Sequence, residues 1–258
     1  MKKPVLYLLI ILLVFCSCSN KDDSNKVIEE GCNYQPTGWD YPVKGEDFRA
    51  MGGLEQAAVI RIPEEVLDTL SPEDAVRLFI TFPEFHVAAA YGQLSIFSWD
   101  ISRFKIIEHL FSRDDVGSLL IAAYNDLDFD IQGFKTLPYC VEQLGDFSMC
   151  WALMRWFQAL LSQKEILQNM THDERLELIK VARPKKTGNG RWNYCIIVNI
   201  LCLEEYPEFM TSPNREAIVR CLDGDVSYYQ YINSDWYDGL QYDETARIAD
   251  NFINDNKK

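Results

Sequence analysis

From Trp39 onward apolar residues recur three and four positions apart, the spacing that puts them on one face of a helix. Pro63 precedes Glu64-Glu65-Val66-Leu67, which places proline at the first helical position and acids in the first turn, where the helix dipole favours them. Ser71-Pro72-Glu73-Asp74 repeats the device with a serine cap, and the apolar face Ala75, Leu78, Phe79 and Phe82 follows. Pro83-Glu84 opens a further short helix. Asp100 is placed to cap residues 101–111, where Ile101, Phe104, Ile107 and Phe111 keep helical spacing, and Asp114 is placed to cap a segment running to Tyr124. Cys150, Leu153, Trp156 and Phe157 form another apolar face. Thr171 with Glu174 reads as a capping box ahead of Leu176, Ile179 and Ala182. Ser212-Pro213 opens a helix through Leu222, and Tyr242, Ala246, Ala249 and Ile253 mark a last one.

Strand signals are few. Gly188-Asn189-Gly190 is a turn candidate, but its flanks do not alternate between apolar and polar. The pattern therefore predicts an all-α fold with residues 38–258 as a single helical domain. Ser71 to Ser112 and Thr171 to Ser212 are each 41 residues apart, close to the period of HEAT and armadillo helix pairs. The middle interval is 59 residues, with 126–140 as the insertion that breaks register. A helix-pair solenoid and an irregular helical bundle both remain open at this stage.

The first residues follow another rule. Lys2 and Lys3 precede an unbroken apolar run from Val5 to Phe15, too short to span a bilayer and suited to a signal peptide. The run ends at Phe15-Cys16-Ser17-Cys18, where a small residue directly before a cysteine resembles a bacterial lipobox. Residues 1–17 are thus expected to be the leader and Cys18 the lipidated residue; Cys16 fits worse because bulky Phe15 precedes it. Phe15 also stands three positions before Cys18, where leucine is usual. Residues 18–37 form a polar tether, and Lys21-Asp22-Asp23 just behind the cysteine resembles the export signal of surface lipoproteins in Bacteroidetes. The expected location is the outer membrane, exposed at the cell surface, with a periplasm-facing position as the alternative.

Composition narrows the partners. The 258 residues carry 25 basic and 39 acidic side chains, a net charge of −14. Loss of Lys2 and Lys3 with the leader leaves 23 basic against 39 acidic residues, hence −16. Nucleic-acid binding rests on cations that neutralise phosphates, so this balance and the lack of a basic stripe argue against it. The membrane would be reached through lipid, not through basic residues.

The stretch from Trp39 to Tyr124 resembles a family of helical predicted lipoproteins from gut Bacteroidetes. The residues that carry the resemblance are Trp39-Asp40-Tyr41-Pro42-Val43, Arg61-Ile62-Pro63-Glu64-Glu65-Val66-Leu67, Leu70-Ser71-Pro72-Glu73, Thr81-Phe82-Pro83 and Arg113-Asp114-Asp115. It covers about a third of the chain. It implies a helical lipoprotein and brings no chemistry with it.

Candidate chemistry is sparse. Cys150-Trp151-Ala152 at a helix start, with Gln143 upstream, looks like the nucleophile segment of papain-type proteases. That chemistry needs a distant histidine base, and His172 is the sole histidine after Cys150. Gln143 also stands one residue too far from the cysteine. A core cysteine is the favoured reading, with a Cys150 hydrolase kept as the alternative and no enzyme activity expected. Beyond Cys18 the cysteines are Cys32, Cys140, Cys150, Cys195, Cys202 and Cys221. Cys195 and Cys202 on one helix would be about 10 Å apart along its axis, beyond disulfide reach. No C-x-x-C pair suggests zinc. At most one bridge and several core thiols are expected.

Asp126, Asp128 and Asp130 alternate as a calcium loop would, but Ile131 stands where glycine is needed and Leu137 where glutamate is needed. His86, His109 and His172 are scattered, so no metal and no cofactor are expected. Asp68-Thr69-Leu70 resembles the short acceptor for O-linked glycans on exported Bacteroidetes proteins. Tyr228, Tyr229, Tyr231, Trp236 and Tyr237, interspersed with Asp235 and Asp238, form a candidate ligand surface on which rings stack against sugars and carboxylates bind hydroxyls. The functional expectation is a surface-anchored binding or scaffold module for a protein or a glycan.

Overall fold

The computed structural model describes residues 38–85, 104–128, 133–134, 147–185, 191–213, 215 and 239–257. The fold is all-α. In chain order the helices are α1 (Gly45–Ala50), α2 (Gly53–Val59), α3 (Glu64–Leu67), α4 (Pro72–Ile80), α5 (Lys105–Phe111), α6 (Gly117–Asp126), α7 (Phe147–Leu161), α8 (Lys164–Asn169), α9 (His172–Ala182), α10 (Arg191–Leu203), α11 (Pro207–Met210) and α12 (Gly239–Asp255). Between α6 and α7 a two-residue antiparallel ladder pairs β1 (Leu127–Asp128) with β2 (Gly133–Phe134), Leu127 opposite Phe134. It falls in the segment whose sequence reads as an insertion.

The strongest start signals act as their chemistry requires. Ser71 accepts a hydrogen bond from the Asp74 amide at 3.1 Å, Pro72 occupies the first turn, and the whole apolar face of α4 is buried. Thr171 and Glu174 close the capping box at α9, with Leu176, Ile179 and Ala182 buried behind it. Pro63 is the cap residue of α3, one place earlier than expected.

Three starts differ. The helix expected over 101–111 begins only at Lys105, because Phe104 takes a non-helical conformation (φ −107°, ψ 60°) and buries its ring against Phe82 and Trp156. Asp114 caps nothing. The chain bends there and α6 begins at Gly117, after Val116. That bend is held from outside by Arg113, which donates to the Leu70 carbonyl at 2.8 Å, and by Asn169, which donates to the carbonyls of Phe111 and Arg113. Gly117 permits the approach that follows, since a Cβ there would lie 2.8 Å from a Glu174 carboxylate oxygen. Ser112, finally, closes α5 instead of opening a helix, so the 41-residue interval from Ser71 to Ser112 does not join two helix starts. Pro83 to Phe85 form a turn, with the Phe85 amide bonded to the Phe82 carbonyl at 3.1 Å. Asp100, Gly188-Asn189-Gly190 and residues 216–222 lie outside the described residues.

Two helices occupy the centre. In α7 every residue from Ala152 to Leu161 is buried, as is Ser162 just beyond it, and in α10 Tyr194, Ile196, Ile197, Val198, Ile200 and Leu201 are buried. Helices apolar on all sides are driven inside, whereas one-sided α12 exposes Asp243, Arg247 and Asp250 while burying Thr245, Ala246, Ile248, Ala249 and Phe252. α10 packs against α7, α8, α9, α11 and α12; α9 also packs on α6 and α12, and α4 on α5 and α6. No helix among the described residues is long and apolar enough to cross a membrane.

The end of α10 stores strain. The amides of Glu205 and Tyr206 donate back to the carbonyls of Cys202 and Leu201, both at 3.1 Å, which is the Schellman arrangement. The residue that must turn left-handed there is Glu205, with φ of 47°, where glycine is the unstrained choice. Glu205→Gly is expected to stabilise the protein by about 1 kcal/mol in urea unfolding; no gain, or a loss, would show that the Glu205 side chain contributes more than the strain costs.

Candidate functional site

The polar residues inside the helices make three constellations. The first pins the start of the body. Arg77 on α4 is almost wholly buried and spreads its guanidinium over three oxygens: Asp74 Oδ1 at 3.3 Å, Asp40 Oδ1 at 3.1 Å and the Trp39 carbonyl at 2.7 Å. Asp74 is in turn held by Ser71 Oγ at 3.0 Å. Asp40 also takes Lys44 at 2.7 Å and the Tyr41 amide at 2.9 Å. A buried arginine is tolerated when carboxylates surround it, because desolvation is then repaid by short charge-assisted bonds.

The second is buried between α6, α7 and α10. Tyr124 Oη donates to Asn193 Oδ1 at 3.1 Å and accepts from Gln158 Nε2 at 3.0 Å, and Gln158 also bonds Asn193. Burial pushes the Tyr124 hydroxyl far up, so it stays a neutral donor at any working pH. Asn193 Nδ2 is buried with no hydrogen-bond partner among the described residues. One turn before Gln158, Arg155 lies 4.3 Å from the centre of the Trp151 ring, and burial lowers its pKa to about 10.

The third lies at the corner where α9 starts and where α10 and α12 end. His172 Nδ1 meets Glu204 Oε2 at 2.7 Å, and Nε2 meets Asn256 Oδ1 at 3.2 Å. The Asn256 amide nitrogen is committed to the Phe252 carbonyl, so each ring nitrogen of His172 faces an oxygen atom. Arg175 binds the other Glu204 oxygen and reaches the carbonyls of Leu167 and Met170. Burial would raise the Glu204 carboxyl, but the hydrogen bonds from Arg175 and His172 outweigh it and hold it below the usual range. Tyr206 donates to Asp255 at 2.7 Å; burial and that carboxylate push its hydroxyl up to about 12. Glu208 ties Arg247 and Asn251 of α12 to α11, and Arg183 pairs with Asp250 at 3.1 Å. The arrangement can orient a histidine and clamp the C-terminal helix.

The sequence candidates distribute as follows. Cys150 is fully buried on α7, while His172 is exposed and its ring nitrogens engage Glu204 and Asn256. Cys195 and Cys202 both sit half-buried on α10. Asp126 ends α6 and Asp128 lies in β1; among the described residues no group of three or more metal-ligating side chains occurs. His109 is half-buried beside Arg113, and burial and that cation lower its pKa. Thr69 is exposed, with its hydroxyl donating to the Val66 carbonyl at 2.9 Å. Tyr228, Tyr229, Tyr231, Trp236 and Tyr237, together with Cys18, Cys32, Cys140, Cys221, His86 and Asp130, lie outside the described residues.

Sequence reasoning passed over Arg77, Gln158, Asn193 and Glu204. The signal was there for three of them: a charged or amide side chain inside a continuous apolar run must find partners in the core. Glu204 carried none, since an acid near a helix end is ordinary.

Glu204 gives the stability a pH dependence of known sign. A carboxyl whose folded pKa is depressed adds stability that is present above its unfolded pKa and lost as pH falls through the folded one. Glu204→Gln is therefore expected to lower the urea midpoint at pH 7, with the gap to the parent protein closing as pH drops below about 4. A gap that stays constant from pH 7 to pH 3 would contradict the assignment.

No family model, no curated protein and no solved structure matches this chain.

Proposed function

We propose that the protein is a surface-anchored lipoprotein whose helical body serves as a binding or scaffold module for a protein or a glycan. The observation that carries this reading is the order of residues at the N-terminus: Lys2-Lys3, the apolar run Val5 to Phe15, then Ser17-Cys18 and a polar stretch before the body begins. Acyl chains on Cys18 would bind the membrane at roughly 0.8 kcal/mol per buried CH₂, enough to hold a strongly acidic body near it. The body is consistent with standing in water. Among the described residues Leu54, 91% exposed, is the one large hydrophobic side chain left fully outside. The rings of Tyr228, Tyr229, Tyr231, Trp236 and Tyr237, with the carboxylates of Asp235 and Asp238, are the proposed ligand surface. The complete burial of Cys150 favours a binding module over a hydrolase that uses this thiol, since a nucleophile must meet its substrate.

Metabolic labelling with a palmitate analogue tests the anchor. The parent chain is expected to take up label and to sediment with the outer membrane, while Cys18→Ala is expected to lose both. Label retained in Cys18→Ala would sink the assignment. Protease treatment of intact cells then distinguishes display from a periplasm-facing position: digestion of the body supports display, and protection refutes it.

A further inference from the structure

We infer that residues 38–51 form a strap that opens as a unit while the rest of the body stays folded. The strap is Gly38 to Lys44 followed by α1. Its hold on the body is concentrated in a few places. Tyr41 sets its ring edge-on against Phe82 at 5.7 Å, Trp39 packs edge-on against Tyr41 at 5.1 Å, Phe48 is buried, and Arg77 takes Asp40 and the Trp39 carbonyl.

Two features make this attachment reversible. Arg77 keeps a carboxylate of its own when the strap leaves. Asp74, on the same helix and held by Ser71, is buried with a side-chain exposure of 4%, whereas Asp40 of the strap is 37% exposed. Opening therefore removes one of two counter-charges and does not strand a cation in the core, the outcome that makes breaking a buried pair so costly. The second feature is a built-in weakness: Tyr41 Oη is buried with no hydrogen-bond partner among the described residues, a penalty that water would relieve in the open state.

The hinge is equally visible. Between buried Phe48 and buried Ile60 no described side chain is buried, α2 buries none of its residues, and Gly52-Gly53 joins α1 to α2 with open space around Gly53. The bond from Gln56 to the Phe48 carbonyl, at 3.0 Å, is the link across it. Local opening of this kind draws on regions with few buried apolar contacts. For a body anchored through its N-terminus, the released segment would add roughly 45 Å of extended chain to the tether. That consequence rests on the lipid-anchor reading. The opening does not, and the measurement below is indifferent to Cys18.

Amide hydrogen exchange on the full-length chain tests the strap. Residues 45–51 are expected to exchange at least ten-fold faster than residues 73–80 of α4. Asp40→Asn is expected to speed exchange in 45–51 several-fold and leave 73–80 unchanged. Tyr41→Phe, which removes the unpaired hydroxyl and keeps the ring, is expected to slow it on the order of ten-fold. Equal exchange of the two segments in the parent chain, or Asp40→Asn speeding both by the same factor, would overturn the proposal.

Discussion

The fold depends on where one indole ring sits. Trp156, at the middle of α7, stacks on Phe79 of α4 and on Phe82 just beyond that helix, with centroids 5.4 Å away in both cases and planes within 11°. Its ring nitrogen donates to the Phe79 carbonyl at 3.1 Å, so the one polar atom of the side chain is satisfied inside the core. This contact joins segments 77 residues apart in the chain. Around it the rings continue without a gap. Trp39 meets Tyr41, Tyr41 meets Phe82, and on the other side Phe79 meets Phe157, which meets Tyr124. An aromatic pair adds roughly 0.5–1.5 kcal/mol beyond the area it buries, so the chain of rings ties α4, α6 and α7 together more firmly than their backbone spacing would.

Polar groups complete what the rings begin. Tyr124 ends the aromatic run and starts the hydrogen-bonded line through Gln158 to Asn193, which carries the connection from α6 and α7 into α10. α10 then reaches the C-terminal helix through the buried hydroxyl pair of Thr245 and Tyr194 at 3.1 Å and through His172, which bridges Glu204 just past α10 to Asn256 just past α12. Specificity enters here. Apolar faces alone would let helices slide by a turn, whereas a buried amide or carboxylate accepts one register. The acidic balance of the sequence thus has a local counterpart: several of the arginines work inside or against the body, on Asp40, Asp74, Glu204, Glu208 and Asp250.

Much of this was legible in the sequence. Ser71 and Thr171 announce their helices because a cap is a local device: a short side chain, an amide three residues on, and nothing distant required. Ser112, Asp114 and the expected helical place of Phe104 misled because tertiary contacts override local preference there. Phe104 leaves the helix to join the rings, and Arg113 and Asn169 hold a bend where a cap was expected. The 41-residue spacing failed at Ser112 for the same reason. The proposed function rests on residues of two kinds. The proposed leader and anchor at the N-terminus are read from sequence because signals of that kind are linear. A ligand surface is a matter of which rings lie side by side, and no periodicity reveals that for Tyr228 to Tyr237.

The seat of Trp156 is therefore the point at which the account can fail most clearly. Trp156→Ala should remove about 3–5 kcal/mol of stability in urea unfolding, with amide protection falling by a common factor in α4, α6 and α7. A loss below about 1 kcal/mol, or protection lost in α7 alone, would mean that the three helices are held together by something other than the ring stack.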